Sequence, residues 1–161
     1  MEIERKFKVR MLPAQYKDSP HCMIEQAYLC TDPVVRVRCQ DDQYYLTYKG
    51  KGLLEREEYN LPLTRESYVH LLAKADGLIL TKTRYQIPLS SPWDKGSLSL
   101  IAELDVFSGD YEGLLLVEVE FPSKETALAF TPPDWFGEDV TFSGEYQNSR
   151  LSKGKKVGQN L

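Results

Sequence analysis

The opening segment MEIERKF places charged side chains at every second position. Glu2, Glu4 and Lys6 occupy alternate positions. In a β-strand, successive side chains point to opposite faces, so these three would share one face at a spacing of about 6.7 Å. Carboxylates from adjacent strands can converge on a hard cation such as Mg²⁺ or Mn²⁺, which prefers oxygen ligands. The segment therefore predicts a strand that presents candidate metal ligands beside an ammonium group.

Six later segments carry charge with the same period of two, and their charges are sorted by sign. The segments are VVRVRC with Arg36 and Arg38, YLTYKG with Lys49, LEREEY with Arg56 and Glu58, LTKTRYQ with Lys82 and Arg84, AELDVF with Glu103 and Asp105, and LVEVEF with Glu118 and Glu120. A solvent-exposed face usually mixes signs and includes Ser, Thr and Gln. The sorting therefore indicates a binding role rather than a solvated surface.

Any single pair of these charges fits the ordinary solvent face of an antiparallel sheet, and a plain structural β-domain is the alternative interpretation. Seven such segments weigh against it. If the strands close into a barrel, an inward charged face is tolerable only when it is wet, paired or filled by an ion or ligand. A polyphosphate chain satisfies both signs, because metals and Arg or Lys side chains together neutralise its oxygens.

Composition limits the other possibilities. The 161 residues, 42% of them hydrophobic, suit one domain, and a net charge of −4 provides no overall basic field for nucleic acid. No apolar run could span a membrane, and no signal peptide precedes the first charged segment, so we expect a cytoplasmic protein. The composition does not decide whether the chain forms oligomers.

Cysteine and histidine chemistry has little support in the sequence. Cys22, Cys30 and Cys39 are odd in number and lack CxxC spacing, which argues against a zinc site and against a disulfide framework. His21 and His70 lie far apart, beside no evident nucleophile.

The periodicity predicts an α+β fold that is mostly β. Strands are expected near 2–10, 22–30, 34–40, 43–50, 53–62, 79–88, 97–107 and 112–122. Helices are expected over 64–77, capped by Thr64, and over 123–136, capped by Ser123, with a single helical turn within 12–20. We expect one domain over 1–152 and a flexible basic tail over 153–161.

These blocks resemble a known family. MEIERKF resembles the amino-terminal ExExK signature of the CYTH domain, the triphosphate tunnel metalloenzymes, and the later blocks follow in the family's order across 2–121. The segment DVTFSGEYQNSRLS, 139–152, resembles the family's ending. ExExK alone is a weak signal, whereas seven blocks in order are a strong one.

The resemblance implies an eight-stranded antiparallel tunnel that binds a triphosphate lengthwise with Mg²⁺ or Mn²⁺. It implies that Glu2, Glu4, Glu118 and Glu120 are metal ligands and that Glu103 and Asp105 bind a second metal or position water. The implied phosphate clamp is Lys6, Arg36, Arg38, Lys49, Arg56, Lys82 and Arg84. Glu58 is implied as a further tunnel residue that orients an arginine.

The opening block and the compact length resemble the bacterial inorganic triphosphatases, which implies hydrolysis of tripolyphosphate to diphosphate and phosphate. Class IV adenylyl cyclases and thiamine or nucleoside triphosphatases share the tunnel and are alternatives. They need an aromatic shelf for the organic group, for which Trp93, Trp135, Tyr44 and Tyr111 are candidates, although packing roles are favoured for these rings.

A polyphosphate-binding module without catalysis is a further alternative, and it would tend to lose the metal carboxylates. The sequence departs from the family pattern in the last block. Where many relatives carry a Lys shortly before the Tyr, this chain has Gly144 and Glu145, so that basic contact is either missing or supplied by Arg150 or the lysine-rich tail.

Overall fold

The computed structural model describes residues 1–89 and 100–154. Its ten strands are β1 (Glu2–Val9), β2 (His21–Thr31), β3 (Val34–Gln40), β4 (Gln43–Lys49), β5 (Glu55–Arg56), β6 (Glu58–Leu63), β7 (Asp76–Leu89), β8 (Leu100–Ser108), β9 (Leu115–Glu120) and β10 (Phe136–Asp139). Its helices are α1 (Arg65–Leu72), α2 (Lys124–Ala129) and α3 (Asn148–Leu151), with 3₁₀ turns at Tyr16–Asp18 and Gly109–Tyr111.

All ten strands belong to one antiparallel sheet, in the order β10-β1-β9-β8-β7-β2-β3-β4-β6. β5 pairs with β1 and not with its neighbours along that path. Only residue 57 separates β5 from β6, so this short stretch connects the β4 edge of the sheet to β1. The sheet therefore curls into a nearly closed barrel.

The predicted fold class is confirmed, and the strand count differs for two physical reasons. The predicted strand over 53–62 is divided, because β5 pairs with β1 whereas β6 pairs with β4. β10 is an additional strand, since its residues pair with β1 at Phe7 and Val9. The predicted residues 97–99 lie outside the described part of the chain.

The two faces of the sheet have opposite character around β9. Val117 and Val119 are fully buried and pack with Phe7 and with Ala127 of α2 on the outer side of the barrel. Glu118, between the two valines, points to the other face. Alternation thus gives β9 an apolar outer face covered by α2 and a charged inner face.

The helices begin where the capping signals predict but end earlier. In α1, Thr64 and Ser67 form reciprocal hydrogen bonds, a capping box that satisfies two amides of the first turn. The helix ends at Leu72 because β7 begins at Asp76, so the predicted extension to 77 is wrong. The predicted helix over 123–136 likewise ends at Ala129, where β10 takes the following residues into the sheet.

The last described segment is folded onto the barrel. α3 was not predicted, and its Leu151 is fully buried. The amide of Leu78 donates to the carbonyl of Ser152, and Gly77 (φ +73°) allows this approach, since a Cβ there would lie 2.2 Å from the same oxygen. Of the predicted tail, 153 and 154 continue this segment, and 155–161 lie outside the described residues. Among the described residues, none of the helices has the length and the hydrophobicity of a membrane-spanning segment.

Candidate active site

Three neighbouring strands, β1, β9 and β8, build an acidic wall inside the barrel. Glu4 lies opposite Glu120, and Glu118 lies between Lys6 on one side and Glu103 on the other. Like charges directly opposite each other destabilise a sheet. Two such carboxylate pairs on one wall therefore favour a bound cation between the strands.

The opposite wall, from β3 to β5, is basic. Arg36 and Arg38 project from β3, Lys49 from β4 and Arg56 from β5. In register, Arg36 lies opposite the neutral Thr47, so the arginines of β3 have no carboxylate across from them on β4. This wall therefore carries an excess of positive charge.

A cavity of about 150 Å³ separates the two walls. All but three of the predicted site residues line it: Glu2, Glu4, Arg36, Arg38, Lys49, Arg56, Glu58, Arg84, Glu103, Glu118 and Glu120. The further lining residues are Tyr28, Val34, Gln147, Asn148 and Ser149. The period-two pattern thus predicted which faces meet, though the charges lie far apart in the sequence.

Lys6, Lys82 and Asp105, the other three predicted residues, lie below the cavity surface in buried ion pairs. Nζ of Lys82 donates to Oδ2 of Asp105 at 2.7 Å, and these side chains are 0% and 1% exposed. Nε and Nη2 of Arg84 donate to the two oxygens of Asp105 at 2.8 and 2.9 Å. Burial lowers the pKa of Lys82 to about 7, although the Asp105 carboxylate opposes this shift. Asp105 is therefore placed as the counterion of Arg84 and Lys82.

Arg36 and Arg38 contrast with Arg84, because neither forms an ion pair with a described carboxylate. Nε of Arg36 is buried and has no hydrogen-bond acceptor in the described part of the chain. Burial, together with the nearby Arg36 and Arg84, lowers the pKa of Arg38 to about 9. Two arginines crowded in this way, facing a cavity, indicate an anion-binding site.

At the β4–β5 end of the cavity, the charges are already paired. Nζ of Lys49 lies 2.9 Å from Glu2 and 3.6 Å from Glu58, and Nε of Arg56 lies 3.5 Å from Glu2. Burial and the neighbouring Glu58 raise the pKa of Glu2. Although burial opposes its ionisation, Glu58 has a pKa of about 2, because Glu2, Lys49 and Asn60 stabilise its charge. The resemblance implied that Glu58 orients an arginine, whereas its ion pair in the structure is with Lys49.

The acidic wall fits a hard divalent cation in charge and in donor chemistry. Burial, followed by the charge of Glu118, raises the pKa of Glu4 to about 8. Burial also opposes the charge of Glu118, but Lys6, Arg84 and Lys82 keep its pKa well below the ordinary value. Oε1 of Glu118 accepts no hydrogen bond, with Nζ of Lys6 3.3 Å away. In the described part of the chain, no three carboxylates lie close enough together, in their present orientations, to hold a metal ion.

The carboxy-terminal segment supplies lining residues that sequence reasoning did not select. The carbonyl of Tyr146 accepts a hydrogen bond from Nζ of Lys6 at 3.0 Å, and the Tyr111 hydroxyl donates to the carbonyl of Leu151 at 2.7 Å. These bonds hold Gln147, Asn148 and Ser149 at the cavity. The block 139–152 was recognised as a unit, but its uncharged polar residues carry no periodic signal.

The expected basic replacement in this segment is not at the cavity. Arg150 and Glu145 are both exposed, and neither lines the cavity, so within the described chain Arg150 does not supply the missing contact.

The candidate aromatic shelf residues within the described chain pack elsewhere. Tyr44 packs against Tyr68 with ring centroids 5.1 Å apart, and Trp135 against Phe136 at 4.5 Å. Tyr111 is buried in the core cluster of the barrel. Trp93 lies outside the described residues. The packing interpretation therefore holds for the three described rings.

Comparison with known proteins adds independent information. The model of the CYTH domain family matches residues 1–153. The chain is 40% identical over 155 residues to the inorganic triphosphatase of Nitrosomonas europaea, covering 94% of this chain and 96% of that protein. It is 34% identical over 161 residues to the inorganic triphosphatase of Acetivibrio thermocellus, covering 94% and 93%. The crystal structure of the inorganic triphosphatase NE1496 superposes with a TM-score of 0.68 at 35% identity, covering 98% and 97% of the two chains.

Proposed function

Because the chain belongs to the CYTH domain family, we propose that it is an inorganic triphosphatase that hydrolyses tripolyphosphate to diphosphate and phosphate with the help of Mg²⁺ or Mn²⁺. The two relatives named above are both called inorganic triphosphatases, and the alignments cover nearly the whole of each protein.

One observation carries the proposal at the level of the site. Two arginines without carboxylate partners, Arg36 and Arg38, face a wall on which Glu4 opposes Glu120 and Glu118 opposes Glu103. Tripolyphosphate complements both walls, since arginines bind its oxygens and a divalent cation shared with the carboxylates balances the remaining charge.

The basic side chains act on the substrate directly. Arg36 and Arg38 would donate hydrogen bonds to phosphate oxygens, and Lys49 and Arg56 would extend the cationic surface towards the β4–β5 end of the cavity. Arg84, held along one edge by both carboxylate oxygens of Asp105, presents a fixed guanidinium. Such fixed charges position the chain and stabilise the charge that develops on the leaving diphosphate.

The carboxylates Glu2, Glu4, Glu118 and Glu120 would hold the metal, with Glu103 beside them. Bound there, Mg²⁺ or Mn²⁺ supplies Lewis-acid polarisation of phosphate oxygens and lowers the pKa of water. The reaction needs no nucleophilic side chain. A water oxygen forms the new bond to the terminal phosphorus, the bridging P–O bond breaks, diphosphate leaves and a proton passes to solvent.

We also propose a cytoplasmic location. Cys22, Cys30 and Cys39 are all free thiols, which supports a reducing compartment. The partner is a small phosphate compound, and neither a nucleic acid nor a membrane is required by the site.

The test is phosphate release by the purified protein with Mg²⁺ or Mn²⁺ on tripolyphosphate, ATP and thiamine triphosphate in parallel, with cyclic AMP also measured in the ATP reactions. Preferential hydrolysis of tripolyphosphate is expected. Cyclic AMP formation would assign a cyclase, and metal-dependent binding without turnover would assign a binding module.

A further inference from the structure

Gln26 on β2 lies next to the unpaired basic wall and is not among the charged residues that the sequence singles out. Its Oε1 accepts two hydrogen bonds from Arg38, from Nε at 3.0 Å and from Nη2 at 2.7 Å. Gln26 and Arg38 are also direct partners in the register of β2 and β3. The guanidinium is therefore held along one edge by a single neutral oxygen.

The position of Gln26 is fixed by its surroundings. The side chain is 0% exposed, and its backbone is paired on both sides, with Arg38 on β3 and with Leu80 on β7. An acceptor on a central strand with no solvent access has little freedom to rotate away. Arg38 thus has a rigid support.

Its amide nitrogen points to a functional reason for this placement. Nε2 of Gln26 is buried without a hydrogen-bond partner in the described part of the chain. A buried donor left unsatisfied is destabilising, so the fold bears a cost to keep an amide at this position. A residue of similar size without the amide would avoid that cost, and would also leave Arg38 unsupported.

Arg84 shows, by contrast, how carboxylate partners neutralise the charge of a guanidinium. Asp105 and Glu103 accept hydrogen bonds from all three nitrogens of its guanidinium, so its charge is matched by carboxylates. Arg38 uses two N–H groups on Gln26, which leaves three of the five N–H donors of a guanidinium and its whole charge for another acceptor.

From these contacts we propose that Gln26 is a positioning residue for the phosphate site: its neutral carboxamide orients Arg38 towards the anion without neutralising it. This deepens the proposed function and rests on it. A glutamate at this position would provide the same acceptor geometry but would cancel the charge that attracts the substrate.

The experiment measures the affinity of tripolyphosphate by calorimetric titration without metal, together with KM, kcat and Tm. Gln26→Met removes the acceptor at similar volume, and Gln26→Glu keeps the acceptor but adds a negative charge. In both variants we expect the Kd for tripolyphosphate to rise at least tenfold, with a smaller change in kcat than in KM. Because Gln26→Met also removes the unsatisfied amide, its Tm should shift by less than about 4 °C.

A double-mutant cycle separates positioning from a general structural effect. If Gln26 acts through Arg38, Gln26→Met should change the Kd less than twofold in the Arg38→Ala background. The matched control is Gln40→Met, the same substitution on β3 at a residue that does not line the cavity. It should bind tripolyphosphate as the wild type does.

The outcomes distinguish this inference from the proposed function. Wild-type affinity in either Gln26 variant, or a full tenfold loss in the Arg38→Ala background, would overturn the role of Gln26 while leaving triphosphatase activity in place. A wild-type protein that binds tripolyphosphate but does not hydrolyse it would overturn the proposed function, and the binding cycle would still decide the role of Gln26. A wild type that neither binds tripolyphosphate, with or without Mg²⁺, nor hydrolyses it overturns both.

Discussion

Glu4 and Glu120 lie directly opposite each other on β1 and β9, two carboxylates in register on the inner face of the barrel. Together with Glu118 opposite Glu103, they concentrate negative charge on one wall, while the unpaired arginines of β3 occupy the other. This separation of charge within a single cavity leads to testable consequences for activity, for stability and for pH dependence.

Glu4→Gln should abolish turnover without unfolding the protein. The substitution removes a proposed metal ligand, but it also removes the carboxyl group whose pKa is raised to about 8 by burial and, next, by repulsion from Glu118. We expect at least a hundredfold loss of phosphate release, weaker dependence on Mg²⁺, and a Tm equal to or above that of the wild type. Glu138→Gln, at a mostly exposed position on β10, is the control. Retained activity in Glu4→Gln would remove Glu4 from the site.

Arg38→Ala should act mainly on substrate binding. Hydrogen bonds to charged groups are each worth about 1.5–3 kcal/mol, which predicts a rise in KM of about 10- to 150-fold per bond lost. Steady-state kinetics on tripolyphosphate would measure this change, with the exposed Arg10→Ala as control. A normal KM would contradict the assignment of Arg38 to the phosphate clamp.

Asp105→Asn should lower stability more than any surface change. It leaves Lys82 fully buried and Arg84 nearly so, with their main counterion removed. Breaking a buried ion pair in this way costs about 3–5 kcal/mol in the free energy of unfolding. Urea denaturation would measure the loss, and Asp110→Asn, at an exposed position, should show almost none. Equal stability of the two variants would mean that the buried network does not hold the barrel.

Gly77→Ala should detach the segment that lines the cavity from the barrel. The new Cβ would meet the Ser152 carbonyl at 2.2 Å, at a residue whose φ is +73°. Gly113→Ala is a matched control, since Gly113 also has a positive φ (+98°) but its Cβ would meet nothing within 4 Å. Backbone strain alone costs about 1–3 kcal/mol. We expect a larger loss of Tm at 77 than at 113, accompanied by a rise in KM only at 77.

Asp139 should contribute stability at neutral pH and lose it in acid. Burial opposes its ionisation, but hydrogen bonds from Thr141 and Arg5 lower its pKa below the ordinary value. A lowered carboxyl pKa stabilises the fold above the unfolded value of about 3.9, and this contribution disappears as the pH falls through the folded pKa. The Tm difference between wild type and Asp139→Asn should therefore be largest near pH 7 and shrink below about pH 4. A difference independent of pH would rule out this linkage.

Much of this architecture was predictable from alternation alone, because strands with one charged face need a common interior. Alternation gives the face of a residue but not its depth, which is why Lys82 and Asp105 were grouped with cavity residues although they pair below the surface. Gln26 carried no signal, since a single neutral residue does not mark a charged face. β10 was missed because its pairing with β1 depends on contacts more than 120 residues apart in sequence.

The order in which the two walls can form follows from the pairing of β1. Two strands of the basic wall, β3 and β4, are neighbours in the sequence and are joined by a short connection. The acidic wall instead needs β1 to pair with β9, which lies more than 100 residues later in the chain. Contacts of such long sequence separation form late in folding, because the entropy of closing the intervening loop is lost first. During synthesis, Glu2 can therefore meet Lys49 and Arg56 before β9 is made, whereas Glu4 lacks its register partner Glu120 until β9 has left the ribosome. A chain that stops before β9 has the anion-binding half of the cavity without the Glu118 and Glu120 carboxylates of the half that would bind metal.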